Sequence, residues 1–174
     1  MNKHLSRGFT LVEMLIVISI VGILASMAVP NFADFLERHR ASTTANDYLR
    51  ALLMARSRAL ATGERVVVAP TAADGNWAGG WRVFVDLDND GQFDATDVEV
   101  ERFNALSTGF AVTGTGFTES GSNFVSFNNF GFPRRLNGTT IVTGGLGVAI
   151  GTKNLAVCLD ATGRAQVIKA ASCS

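Results

Sequence analysis

Gly8-Phe9-Thr10-Leu11-Val12-Glu13 opens the stretch that decides the fold, GFTLVEMLIVISIVGILASMAV over residues 8–29, which stops at Pro30. From Phe9 to Val29 the run holds one charge, Glu13. As a helix at ~1.5 Å rise per residue it is roughly 31 Å long, the thickness of a bilayer's hydrocarbon core. A carboxylate costs about 3 kcal/mol at the membrane centre and less near an edge, so Glu13 calls for a cationic partner. The nearest candidate is the α-amino group freed by cutting the chain between Gly8 and Phe9.

The eight residues before that cut, MNKHLSRG, carry Lys3, Arg7 and the titratable His4. They are too short and too polar to be a secretory signal with its own apolar region, and no small-x-small site closes a short apolar core. Basic residues just before a span hold that end in the cytoplasm, so the bulk of the chain crosses to the other side. A plain signal anchor that is never cleaved is the alternative reading.

Beyond the span about 145 residues remain, enough for one domain with its own core. The whole chain is 47% apolar and formally neutral, and its low charge partly reflects the span. Pro30 is expected to soften or kink the helix rather than end it, with Asn31 as a cap should the helix restart. Phe32, Phe35, Leu36 and His39 fall on one stripe, read as a subunit-facing surface. Leu49, Leu52, Leu53, Arg56, Ala59 and Leu60 form a second, read as the face packed on a sheet. Ala41 to Asp47, between them, is polar and weakly patterned. Gly63 is placed to end the helix as a left-handed C′ residue.

After Gly63 the period changes from helical to alternating. Strands are expected at 65–69, 81–86, 98–103, 110–113, 123–127, 139–143, 146–150, 154–159 and 165–168. Asp74-Gly75, Asp90-Gly91, Asn137-Gly138 and Gly144-Gly145 are read as turns between them. A long helix followed by antiparallel hairpins predicts an α+β domain with the helix laid on a sheet. The expected organisation is a leader at 1–8, a transmembrane and assembly helix at 9–29, an amphipathic helix at 30–62, and a β-rich head at 63–174.

One chemical motif stands out in the head: Asp86, Asp88, Asp90, Gln92, Asp94 and Asp97 occupy positions 1, 3, 5, 7, 9 and 12 of a twelve-residue loop with Gly91 at position 6. This is the spacing of an EF-hand calcium loop, where position 7 donates its backbone carbonyl. Position 12 is the shorter Asp97 rather than glutamate, and the flanks read as strands, so a solvated Asn-Asp-Gly turn is the competing reading. No cofactor is required; calcium is the candidate ligand. Cys158 and Cys173, an even pair in an exported domain, are expected to form a disulfide closing a loop of roughly 15 residues.

Only His4 and His39 are available, and no Ser-His-Asp set, P-loop or zinc spacing can be assembled, so an enzyme is not expected. From Arg102 onward six basic residues (Arg102, Arg134, Arg135, Lys153, Arg164 and Lys169) face two acids, Glu119 and Asp160. That excess makes sequence-blind phosphate contact, and hence DNA, a candidate partner.

The short basic leader, Gly8, Phe9, Glu13, the apolar span and Pro30 resemble the class III N-terminus of type IV pilins and type II secretion pseudopilins. The resemblance implies that a prepilin peptidase cuts after Gly8 and methylates Phe9, and that Glu13 neutralises the N-terminal amine of a neighbouring subunit. Several later segments are similar to the GspH/FimT group of minor pilins and pseudopilins: Ala51 to Ala59 with Gly63-Glu64-Arg65-Val66, Gly80 to Asp86 with Asp90-Gly91, Phe130 to Pro133, and Asp160 to Arg164. This implies a type IV pilin-like fold and a low-abundance subunit that helps initiate or cap a filament. Its partners would be other minor pilins or pseudopilins, the major pilin, prepilin peptidase and inner-membrane lipid. The implied location is the bacterial inner membrane, single-pass with the head in the periplasm, then the pilus or pseudopilus fibre. Some members of the group bind DNA through Gly-Arg-x-Arg; the matching Gly163-Arg164-Ala165-Gln166 lacks the second arginine.

Overall fold

The computed structural model describes residues 9–119 and 122–173, without the side chains of 27–31, 118, 119 and 122. The leader at 1–8, including the expected cleavage residue Gly8, lies outside the described residues, as do the Pro30 and Asn31 side chains. One helix, α1 (Leu11–Thr62), runs through the expected junction at Pro30 without ending there. Among the described residues no helix is long and apolar enough to cross a membrane. The chain divides into two units, 1–38 and 39–174, and α1 contributes to both.

In the first unit the described apolar side chains from Leu11 to Leu24 lie open. Leu11, Val12, Met14, Leu15, Ile16, Val17, Ile18, Ile20, Val21, Ile23 and Leu24 are all exposed, on every side of the helix. Phe32 and Phe35 are exposed as well, their ring centroids 6.5 Å apart.

In the second unit α1 buries a stripe of mostly small residues: Ala41, Thr44, Ala45, Tyr48, Ala51, Leu52, Ala55 and Ala59. The spacing is helical, but the stripe is shifted from the expected one. Leu53 and Leu60 are exposed, and the stretch read as polar supplies Ala41, Thr44 and Ala45 to the interior. Small side chains let a helix lie close to a sheet, and Ala and Thr carry too little hydrophobicity to stand out as a period. The helix ends as expected: Gly63 has φ 73° and its N–H donates to the Ala59 carbonyl at 2.9 Å.

Among the described residues ten strands follow: β1 (Val66–Pro70), β2 (Trp81–Val85), β3 (Val98–Phe103), β4 (Phe110–Thr115), β5 (Thr118–Glu119), β6 (Ser122–Asn123), β7 (Val125–Phe127), β8 (Gly144–Ile150), β9 (Lys153–Leu159) and β10 (Ala165–Ile168). They form two four-stranded antiparallel sheets, ordered β3-β2-β1-β7 and β10-β9-β8-β4, and a small β5-β6 hairpin. The expected α+β class holds. β1 is buried on both faces, which is why it reads as an unbroken Val66-Val67-Val68 run rather than an alternation. Val66 and Val68 join the main core with Leu146, Val148, Val157 and Leu159 of the other sheet, and Val67 packs with Phe84 and Phe124 on the opposite side.

An aromatic column centres that core. Tyr48 stacks on Trp81 at 3.8 Å between centroids, Trp81 stacks on Phe103 at 4.8 Å, and Trp77 meets the Tyr48 ring edge-on at 5.9 Å. The Tyr48 hydroxyl donates to the Trp77 carbonyl at 2.8 Å, which satisfies the one polar atom that the helix sends into this column.

Two turn and strand expectations are corrected. Residues 139–143 form no strand, only a single bridge between Arg134 and Ile141. The Asn137 side chain instead accepts from the backbone N–H groups of Thr139 and Thr140 at 3.1 and 3.0 Å, a local turn that competes with sheet pairing. Gly144-Gly145 is not a turn but the start of β8, paired with Leu159 and Cys158 of β9.

Candidate functional site

The helix start is built by a reciprocal cap. Thr10 donates to Glu13 Oε2 from its backbone N–H at 2.8 Å and from its hydroxyl at 2.9 Å, while the Glu13 N–H donates to Thr10 Oγ1 at 3.2 Å. This is a capping box, and its Thr-x-x-Glu spacing was present in the sequence although the charge alone drew attention. Glu13 is therefore partnered within its own chain, and it stands at the entrance to the exposed apolar surface of α1.

The acidic loop joins β2 to β3 on the head. Asp86 leaves β2 with its N–H donating to the Arg65 carbonyl at 3.0 Å, and its side chain is buried. One oxygen, Oδ2, accepts from the Gly91 N–H at 3.2 Å. The other, Oδ1, has no hydrogen-bond partner among the described residues. Burial pushes the Asp86 carboxyl up to about 6, and Asp97 pushes it the same way, against the pull of the Gly91 N–H and the Arg65 guanidinium. Carboxylate oxygens of Asp86, Asp88 and Asp97 lie within 4.8 Å of one another.

Asp90 and Asp94 are not in that group. Asp90 Oδ1 accepts from the Gln92 N–H at 2.6 Å, and Asp94 Oδ1 from the Thr96 N–H at 2.7 Å. Asp97 ties the two ends of the loop, accepting from Leu87 N at 3.0 Å and from Asp94 N at 3.1 Å. Gly91 must be glycine: φ is 77°, and a Cβ there would sit 3.0 Å from the Phe124 ring. Sequence reasoning missed Arg65, which donates to Asn89 Oδ1, Ser126 Oγ and the carbonyls of Arg135 and Leu136 at 3.0–3.2 Å. No pattern announces such a clamp, because its acceptors lie far along the chain.

The expected disulfide is present: Cys158 and Cys173 are bonded, with Cα atoms 5.6 Å apart. It holds the C-terminal tail against β8, where the glycines make room. A Cβ on Gly145 would meet Cys173 Sγ at 2.0 Å, and one on Gly147 would meet the Ala171 carbonyl at 2.4 Å.

The basic candidates are dispersed. Arg164 adjoins Ala165, which pairs with Leu159 at one end of β9, whereas Lys153 pairs with Ile150 at the other end, roughly 20 Å away at strand rise. Lys169 follows β10, which ends at Ile168 opposite Ala156, on the Lys153 side of that gap. Arg134 lies over the Phe132 ring, 5.7 Å from its centroid, and Arg135 and Lys153 both have partners within the fold.

Comparison with known proteins agrees with this architecture. Residues 44–163 match the family model described as type II transport protein GspH, and residues 3–29 match the prokaryotic N-terminal methylation motif. A fimbrial protein of Pseudomonas aeruginosa is 32% identical over 124 residues, covering 67% of this chain and 80% of that one. The type IV major fimbrial protein FimA of Dichelobacter nodosus is 36% identical over 77 residues, 44% of this chain and 40% of that one. The crystal structure of the type IV minor pilin FimU of P. aeruginosa superposes with a TM-score of 0.57 at 17% identity, covering 77% of this chain and 92% of that one. Membership of such a family implies an inner-membrane-anchored structural subunit that a prepilin peptidase processes and that assembles with other pilins. The chain belongs to the GspH family and is a type IV pilin or pseudopilin of the GspH/FimT group.

Proposed function

We propose that this chain is a minor type IV pilin, which helps initiate a pilus or sits at its tip after cleavage between Gly8 and Phe9 and methylation of Phe9. One observation carries the reading: from Leu11 to Leu24 every large apolar side chain of α1 is exposed, with a single carboxylate at the entrance. At ~25 cal/mol per Å² such a surface is stable only in lipid or against other helices. In the separate subunit Glu13 is occupied by Thr10. In the fibre the charged amine of a neighbouring Phe9 offers it a stronger partner, and two opposite charges that are costly apart in hydrocarbon then favour one docking register. DNA is not needed for this role, and the dispersed basic residues favour no single phosphate-binding strip.

Replacing Glu13 with alanine tests the mechanism: incorporation into purified fibres should drop by an order of magnitude while the chain still reaches the membrane. Unchanged incorporation would refute the pairing. Mass spectrometry of the mature N-terminus should find methylated Phe9. The description of the matched family favours a second reading, a minor pseudopilin of type II secretion. Deleting the chain distinguishes the two, since a pilin mutant loses surface fibres and a pseudopilin mutant loses secreted protein.

A further inference from the structure

We propose that the β2–β3 loop is a divalent-cation site for calcium, with the carboxylates of Asp86, Asp88 and Asp97 as its ligands. Two independent features point there. The three carboxylates converge, with one oxygen from each within 4.8 Å of the others. Three oxygens no more than 4.8 Å apart all lie within about 2.8 Å of a common point, so a small closure of the carboxylates brings all three to calcium's ~2.3–2.6 Å ligand distance. The second feature is Asp86 itself. Its residue is 1% exposed, Oδ1 has no hydrogen-bond partner among the described residues, and the side chain belongs to the converging group. A buried carboxylate oxygen left without a donor is costly, and a cation removes that cost along with the repulsion among the three charges.

The surroundings suit calcium better than magnesium. Calcium accepts six to eight oxygens at loose geometry and tolerates an irregular loop, whereas magnesium demands a near-ideal octahedron at ~2.0–2.1 Å. Asp88 is exposed and Asp97 half-buried, so water can complete the shell from the open side. Gly91, by donating to Asp86 Oδ2, turns the carboxylate and fixes the sharp bend that brings position 3 back beside position 1. Asp97, by accepting from Leu87 and Asp94, is held at the loop's closing end. The loop's flanks are strands, so the site is carried by a hairpin rather than by two helices, and a bound ion would brace the β2–β3 connection.

The test uses the full chain in detergent micelles, stripped with a chelator and dialysed against calcium. The expected result is one calcium per chain, half-saturating in the ~10⁻⁴–10⁻³ M range of extracellular modules. At calcium tenfold above half-saturation the unfolding equilibrium constant should fall about elevenfold. Asp97→Asn and Asp88→Asn should each weaken binding at least about tenfold, whereas Asp74→Asn in the β1–β2 loop should leave it unchanged. Binding below ~0.1 calcium per chain at ~10 mM would overturn the proposal. So would equal binding of magnesium, or equal effects of Asp97→Asn and Asp74→Asn. The proposal stands on the loop alone, and its failure leaves the pilin reading untouched.

Discussion

Removing the Cys158–Cys173 bridge should cost this head domain a large share of its stability. The crosslinked residues are 15 apart, and closing a loop of that size withdraws about 3 kcal/mol of conformational freedom from the unfolded chain. Little else holds the tail. Lys169, Ala171 and Ser172 are exposed, so the segment contributes scant apolar burial of its own. Against a typical total of about 5–15 kcal/mol, the loss is severe. For a chain of this length it corresponds to a melting shift of roughly 6–12 °C. The experiment compares thermal and urea unfolding of the oxidised chain with Cys158→Ala/Cys173→Ala in the same micelles, and with the wild type under reductant. The double variant and the reduced chain should coincide and both fall below the oxidised protein. A shift under ~2 °C would show that the unfolded ensemble is not meaningfully restrained by this bridge.

Gly145→Ala should interfere with the same tail from the other side, because its Cβ would collide with Cys173 Sγ and with the Val157 carbonyl. A loss of about 1–3 kcal/mol and a measurable fraction of free thiol by alkylation and mass spectrometry are expected. Tyr48→Phe keeps the aromatic stack but removes one of the two donors to the Trp77 carbonyl, which keeps the Gly80 N–H at 3.2 Å; about 0.5–1.5 kcal/mol should be lost in urea titration, with unchanged near-ultraviolet signal. Arg65→Lys retains the charge yet cannot span Asn89, Ser126 and the two carbonyls together. It should cost about 2–3 kcal/mol and speed hydrogen exchange across 126–136.

Several features were legible because their physics is local. The apolar run from Phe9, the glycine that ends α1 and the strands from Val66 to Val85 follow from periodicity and backbone freedom. The cysteine pair was legible for a different reason: two thiols in an exported chain have few alternatives. What misled was equally physical. Ala41, Thr44 and Ala45 are buried because the helix lies close to the sheet, and small residues signal proximity rather than hydrophobicity. Gly144-Gly145 has the composition of a turn, yet it belongs to a strand whose glycines leave room for the C-terminal tail. Within the acidic loop the spacing named Asp86, Asp88 and Asp97, whose carboxylate oxygens converge, together with Asp90 and Asp94, which stand outside that group. Which of them converge was decided by side-chain hydrogen bonds that spacing does not encode.

The amino-acid order alone determined that a long apolar helix with one acid at its start precedes a β-rich head, since burial, charge cost and strand alternation depend on neighbours only a few residues apart. The tertiary structure decided the rest: that Asp86 carries an orphaned buried oxygen, and that Arg65 clamps segments 24 to 71 residues away. Such contacts are set by how two sheets and a helix share one core, and no window along the chain contains that information.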